Sequence, residues 1–97
     1  MTRTREDILN VLSREKAKLQ RRYPVHRLAL FGSYARGEAQ SDSDVDLLVE
    51  VDPSIGLRFV TLAEDLERLL GLPVDLVSQR AIRPNQMAIL APELIDV

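Results

Sequence analysis

The chain contains no cysteine and no tryptophan. Without cysteine there is no disulfide framework and no thiolate metal site, which suits the cytoplasm, the expected compartment. Aromatic residues are scarce: Tyr23, Phe31, Tyr34 and Phe59 are the whole stock. No apolar run approaches the roughly 20 residues that a membrane-spanning helix needs, and the polar N-terminus carries no signal-peptide pattern. An excess of one charge is lacking too. Thirteen Lys+Arg against 15 Asp+Glu leave a formal net charge of −2, which gives no electrostatic argument for direct nucleic-acid binding. What remains, at 45% hydrophobic and 29% charged over 97 residues, is the composition of one small soluble globular domain, expected to span 1–97. A chain of this length buries only about two-thirds of the surface its unfolded form exposes, so modest stability is expected.

The periodicity predicts an alternation of helices and strands. From Thr4 to Arg22, Ile8, Leu12 and Leu19 share one helical stripe. Thr4 is the candidate N-cap, Glu6 and Asp7 sit in the first turn, and Tyr23-Pro24 ends the helix. Arg27–Phe31 reads as a short strand, Ser33–Gln40 as a turn or short helix, and Val45–Val51 as a second strand ended by Asp52-Pro53. A strong helical pattern covers Leu57–Leu70, with Phe59, Leu62, Ala63, Leu66, Leu69 and Leu70 on its buried side and Gly71 as C′ residue. Val74–Ser78 is a third strand, and a short helix around Asn85–Leu90 precedes an irregular end at 93–97. The fold class is therefore α/β in the α+β sense: a small mixed β-sheet of three or four strands with helices packed on it, three being the simplest closure.

Three aspartates stand out because the residues around them are apolar. Asp44 and Asp46 flank Val45 at the start of the second strand, so both project to one face. The bland reading is an edge strand blunted by acids. Leu47, Leu48 and Val49 instead make the strand apolar on both faces, which implies a central position, where carboxylates require a cation and hard divalent metals are the usual one. Asp75 repeats the anomaly in Pro-Val-Asp-Leu-Val. If the third strand lies beside the second, three carboxylates face one cleft and suit a pair of Mg²⁺ ions about 3.5–4 Å apart. Gly32-Ser33 ends the first strand, and a Gly-Ser pair by itself is most often a turn. Its functional reading is phosphate binding through backbone amides and a hydroxyl donor.

Taken together, Gly32-Ser33, ten residues at 34–43, and Asp44-Val45-Asp46 are similar to the signature of nucleotidyltransferases of the DNA polymerase β-like superfamily. Phe-Gly-Ser-Tyr-Ala-Arg-Gly-Glu and Ser-Asp-Ser-Asp-Val-Asp-Leu-Leu-Val resemble its minimal, or MNT, branch over about residues 25–79. The resemblance implies catalytic and metal-binding roles for Asp44, Asp46 and Asp75. It also implies triphosphate binding by Gly32 and Ser33, two Mg²⁺ ions, and ATP as substrate. Arg36 is the best cationic candidate beside the phosphates, against an equal reading as a solvated turn arginine. Tyr34 is considered for base stacking against an ordinary exposed loop tyrosine. Asp42, which the family pattern omits, reads as loop polarity, Glu38 as a surface acid or Arg36 partner, and His26 as structural or solvated.

So short a chain leaves almost nothing for a second wall of the cleft, which the acceptor or an oligomer is expected to supply. MNT proteins of this size resemble the antitoxin half of toxin–antitoxin pairs. There the resemblance implies transfer of AMP from ATP to a tyrosine of a cognate HEPN ribonuclease toxin in a hetero-oligomer. The alternatives are a non-catalytic antitoxin acting by complex formation, and transfer to a small molecule or RNA.

Overall fold

The computed structural model describes residues 4–97. The expected domain range of 1–97 and the reading of the polar N-terminus begin at residues 1–3, which lie outside the described residues. Helix α1, Arg5–Arg22, starts where its capping box dictates. Thr4 Oγ1 accepts from the Asp7 amide at 3.2 Å, and Asp7 Oδ2 accepts from the Thr4 amide at 3.0 Å, so two otherwise orphaned donors are satisfied. Strand β1, Val25–Phe31, begins earlier than Arg27, because the chain extends directly out of Pro24. It is followed by α2, Gly32–Arg36, and β2, Val45–Val51. Helix α3, Arg58–Leu70, ends at Gly71, whose φ of +68 is the left-handed cap that glycine adopts without strain. Leu57, expected inside that helix, is its N-cap and is 92% exposed. Strand β3, Val74–Ser78, and α4, Pro84–Leu90, complete the expected set.

The irregular end contributes more than a tail. Ile95–Asp96 forms β4, making the sheet four-stranded in the order β3-β2-β1-β4. β1 is antiparallel to both β2 and β4, while β2 and β3 are parallel through the α3 crossover. Three-stranded closure is thus corrected within the expected range. Polar contacts fasten the added strand. Arg27 holds Asp96 through two bonds of 2.7 and 3.2 Å, and Lys16 Nζ donates to the Val97 carbonyl at 2.7 Å. Such fork geometry is the stronger form of surface pairing.

The core lies on one face of the sheet. Ile8, Leu12 and Leu19 of α1 and Leu62, Leu66 and Leu70 of α3 join Leu28, Leu30, Leu47 and Val49 in one buried cluster. Alternation turns Ala29, Phe31, Asp46, Leu48, Asp75 and Val77 to the opposite face. Ala29 and Leu48 are fully buried yet stand outside that cluster, as two-sided coverage of the central strands requires. No helix among the described residues is long and apolar enough to cross a membrane.

One charged side chain enters the core. Asp65 is 5% exposed on the apolar stripe of α3. Its carboxylate accepts from the Tyr23 hydroxyl at 2.5 Å and pairs with Arg22 and Arg68, each at 3.2 Å. Three partners offset its desolvation. Burial first, and the Asp65 carboxylate second, push the Tyr23 phenol above its ordinary range. Tyr23→Phe should lower stability in urea unfolding by about 1–2 kcal/mol through loss of this bond. A raised folded-state pKa gives stability present below the unfolded phenol value and lost as pH rises through the folded one. The gap between wild type and variant should therefore narrow in alkali above pH about 10.

Candidate active site

The site forms where β1 stops and β2 starts. The register sets Phe31 opposite Asp46, so the next residue, Gly32, turns the chain directly beside the Asp46 carboxylate. Gly32 has φ +78, and a Cβ built on it would land on Asp46 Oδ2, well inside van der Waals contact. Both the left-handed backbone and the missing side chain are therefore required. Gly37, φ +74, closes α2 at its other end through amide bonds back to Ser33 and Tyr34. Arg5 Nη1 donates to the Ala35 carbonyl at 2.9 Å, tying the short helix to α1.

On the other side of β2, the parallel pairing sets Asp75 opposite Asp46, so both carboxylates leave the same face. Gly32 just after β1, Asp46 on β2 and Asp75 on β3 thus lie side by side across the sheet. Asp44 stands just before β2 and is exposed, and Asp75 is exposed as well; only Asp46 is half-buried. Two carboxylates buried within a strand are corrected to one, because β2 begins at Val45 and its entrance is open to solvent. Burial raises the Asp46 carboxyl above the usual carboxylate range, and the Asp75 and Asp44 charges add to the shift in that order. Arg36 opposes it.

Arg36 is exposed and committed to other acids. Its Nη1 donates to Glu93 at 2.9 Å and its Nε to Glu38 at 3.3 Å. The reading of Glu38 as an Arg36 partner holds. Glu93 was missed: it follows α4 at the chain end, and its charge also raises the Asp46 carboxyl. Nothing local marks it, since only the return of the chain brings it near. Tyr34 is overturned as a stacking platform. It is 3% exposed in the core, on the inward side of α2. Asp42 is exposed in the turn, and Ser43 Oγ accepts from the Gln40 amide at 2.8 Å, as loop polarity requires. His26 is exposed on β1.

The donor set is three hard carboxylates whose mutual repulsion is visible at Asp46, and a divalent cation fits that chemistry. Among the described residues no group of three or more such side chains is drawn into a preformed metal cage. The cleft is open, flanked by a glycine turn and lined by acids.

Residues 12–95 match the family model described as "Nucleotidyltransferase domain". The chain belongs to this nucleotidyltransferase family. It is 43% identical over 96 residues to the protein adenylyltransferase MntA of Thermococcus cleftensis, covering 97% of this chain and 96% of that one. Among solved structures, a minimal nucleotidyltransferase aligns with TM-score 0.75 at 38% identity, covering 93% and 95% of the two chains. A toxin–antitoxin structure with AMP-PNP aligns with TM-score 0.65 at 27% identity, covering 86% of this chain and 69% of that one. The chain is an MNT-type nucleotidyltransferase, an enzyme, and its α+β architecture is that of the family.

Two substitutions test the geometry of this nucleotidyltransferase. Gly32→Ala should cost about 2 kcal/mol or more in thermal or urea unfolding, because strain and the clash with Asp46 coincide. Asp46→Asn should do the reverse. A raised folded-state carboxyl means that the fold penalises the ionised form, fully above the folded pKa and not at all below the unfolded value of 3.8. Without divalent cations, the variant should be more stable than wild type at pH 7 by up to about 1 kcal/mol, after allowance for solvent screening. The difference should vanish near pH 3.

Proposed function

We propose that this chain is the antitoxin of a toxin–antitoxin pair and transfers AMP from ATP to a tyrosine of a cognate HEPN ribonuclease toxin. The observation that carries this reading is the row Gly32–Asp46–Asp75 across the sheet. A bare glycine lies on one side of the central carboxylate and a second carboxylate on the other. Similarity to an adenylyltransferase over nearly the whole chain supports AMP as the transferred group. Likeness to a toxin–antitoxin structure with AMP-PNP supports the nucleotide and the class of partner.

In this reading Gly32 gives the triphosphate close access to the backbone, and the Ser33 hydroxyl donates to it. Asp44 and Asp46, with Asp75 beside them, would hold Mg²⁺, which when bound neutralises the triphosphate and eases deprotonation of the attacking hydroxyl. Asp75, exposed at the β3 side, accepts the tyrosine proton and can release it to water. The tyrosine oxygen forms a bond to the α-phosphorus as the bond to the β-phosphate oxygen breaks and pyrophosphate leaves towards Gly32. Arg36 serves the leaving phosphates once it exchanges Glu93 for them. Catalysis here is mainly positioning and charge stabilisation.

The test is intact-mass analysis of the genetically adjacent partner after incubation with this protein, ATP and Mg²⁺. The expected outcome is a gain of one or more AMP units, abolished by Asp46→Asn or Asp75→Asn although both variants still bind the partner. Protection of host cells by the double variant Asp44→Asn/Asp46→Asn, with no mass gain, would instead establish neutralisation by binding alone.

A further inference from the structure

The face of the sheet that bears the carboxylates carries a second feature beside them. Phe31, Val77, Ile82, Gln86, Ile89 and Leu90 line an apolar pocket of about 370 Å³ between α4 and the strands, within the range of about 300–1,000 Å³ typical of small-molecule sites. Glu93 borders it, so the pocket and the Asp46 environment share a residue. Ile89 is 77% exposed, an apolar side chain left uncovered at the rim. Resting on the nucleotidyl-transfer reading above, we propose that this pocket holds the base of the nucleoside triphosphate.

Position in the sheet makes the argument. Residues two apart on a strand share a face, so Leu48 follows Asp46 and Val77 follows Asp75 in the next row along β2 and β3. Phe31, the register partner of Asp46, borders the same space from β1. The pocket is therefore the direct continuation of the carboxylate row along the strand direction, with α4 as its roof.

The reaction geometry then selects the occupant. In-line displacement places the attacking and leaving oxygens at opposite ends of an axis through the α-phosphorus. With pyrophosphate leaving at Gly32 just after β1 and the proton acceptor Asp75 on β3, that axis runs across the strands. The nucleoside branches from the phosphorus sideways to this axis, and one of the sideways directions runs along the strands into the pocket. The acceptor tyrosine must instead arrive along the axis, from the β3 side. A planar, largely apolar base matches a lining of one phenyl ring and aliphatic side chains. Gln86 and Glu93 offer its polar edge hydrogen-bonding groups.

Calorimetric titration of the full chain with ATP and with inorganic tripolyphosphate, both with Mg²⁺, tests the assignment. The base assignment predicts wild-type affinity for ATP about tenfold or more above that for tripolyphosphate, from the apolar area the base buries. Ile89→Ser, at an exposed position that leaves folding intact, and Phe31→Leu should each weaken ATP binding about fivefold and change tripolyphosphate binding by less than about twofold. Equal wild-type affinity for the two ligands, or ATP affinity unmoved in both variants, overturns the assignment. ATP affinity unmoved with partner binding lost would make the pocket an acceptor surface instead. If wild type binds neither ligand, the nucleotidyl-transfer reading itself fails, an outcome separable from failure of the pocket.

Discussion

The contact between Gly32 and the Asp46 carboxylate is the constraint on which the rest of the site depends. It exists because the β1–β2 register pairs Phe31 with Asp46, so that the turn after β1 must pass the carboxylate at a distance no Cβ would survive. That register in turn reflects burial. A slip of one residue in β2 would send Leu47 and Val49 out of the core cluster and bring Asp46 into it. Core packing and site geometry are the same fact seen from two faces of one sheet.

Asp65 and Asp46 are surrounded in opposite ways. Asp65 is surrounded by a phenol and two guanidinium groups, which give its carboxylate oxygens partners within the apolar stripe. Asp46 faces Asp75, Asp44 and Glu93, with Arg36 as the opposing cation. The first arrangement serves stability. The second leaves an electrostatic deficit that a divalent cation can remove, as expected where a site trades stability for chemistry. Arg36 is itself paired with Glu38 and Glu93.

Much of this was legible in the residues. The spacing of Ile8, Leu12 and Leu19, the capping residues around Thr4, and Gly71 after an apolar helical run marked α1 and α3 closely. These features act within a turn or two, so local order displays them. The acids at 44, 46 and 75 were visible as exceptions to apolar strands, and the paired Gly-Ser supplied the family likeness. Tyr34 was misread as exposed because the short helix turned it inward, a choice made by the packing of α2 against β2. Asp65 carried a signal that could have been taken: it is the acid at a buried position of the stripe with Leu62 and Leu66. Glu93 carried none.

By itself the sequence determined the types of element, their caps and the chemistry of the motif, because periodicity and turn chemistry are short-range properties of the chain. Tertiary structure alone decided which of those groups meet. Parallel pairing of β2 with β3 brought Asp75 level with Asp46, and the return of the chain into β4 carried Glu93 to Arg36. Arg36 and Glu93 are 57 positions apart, and Lys16 and the Val97 carbonyl 81. Such meetings follow from which faces must be buried together, and no local pattern records that.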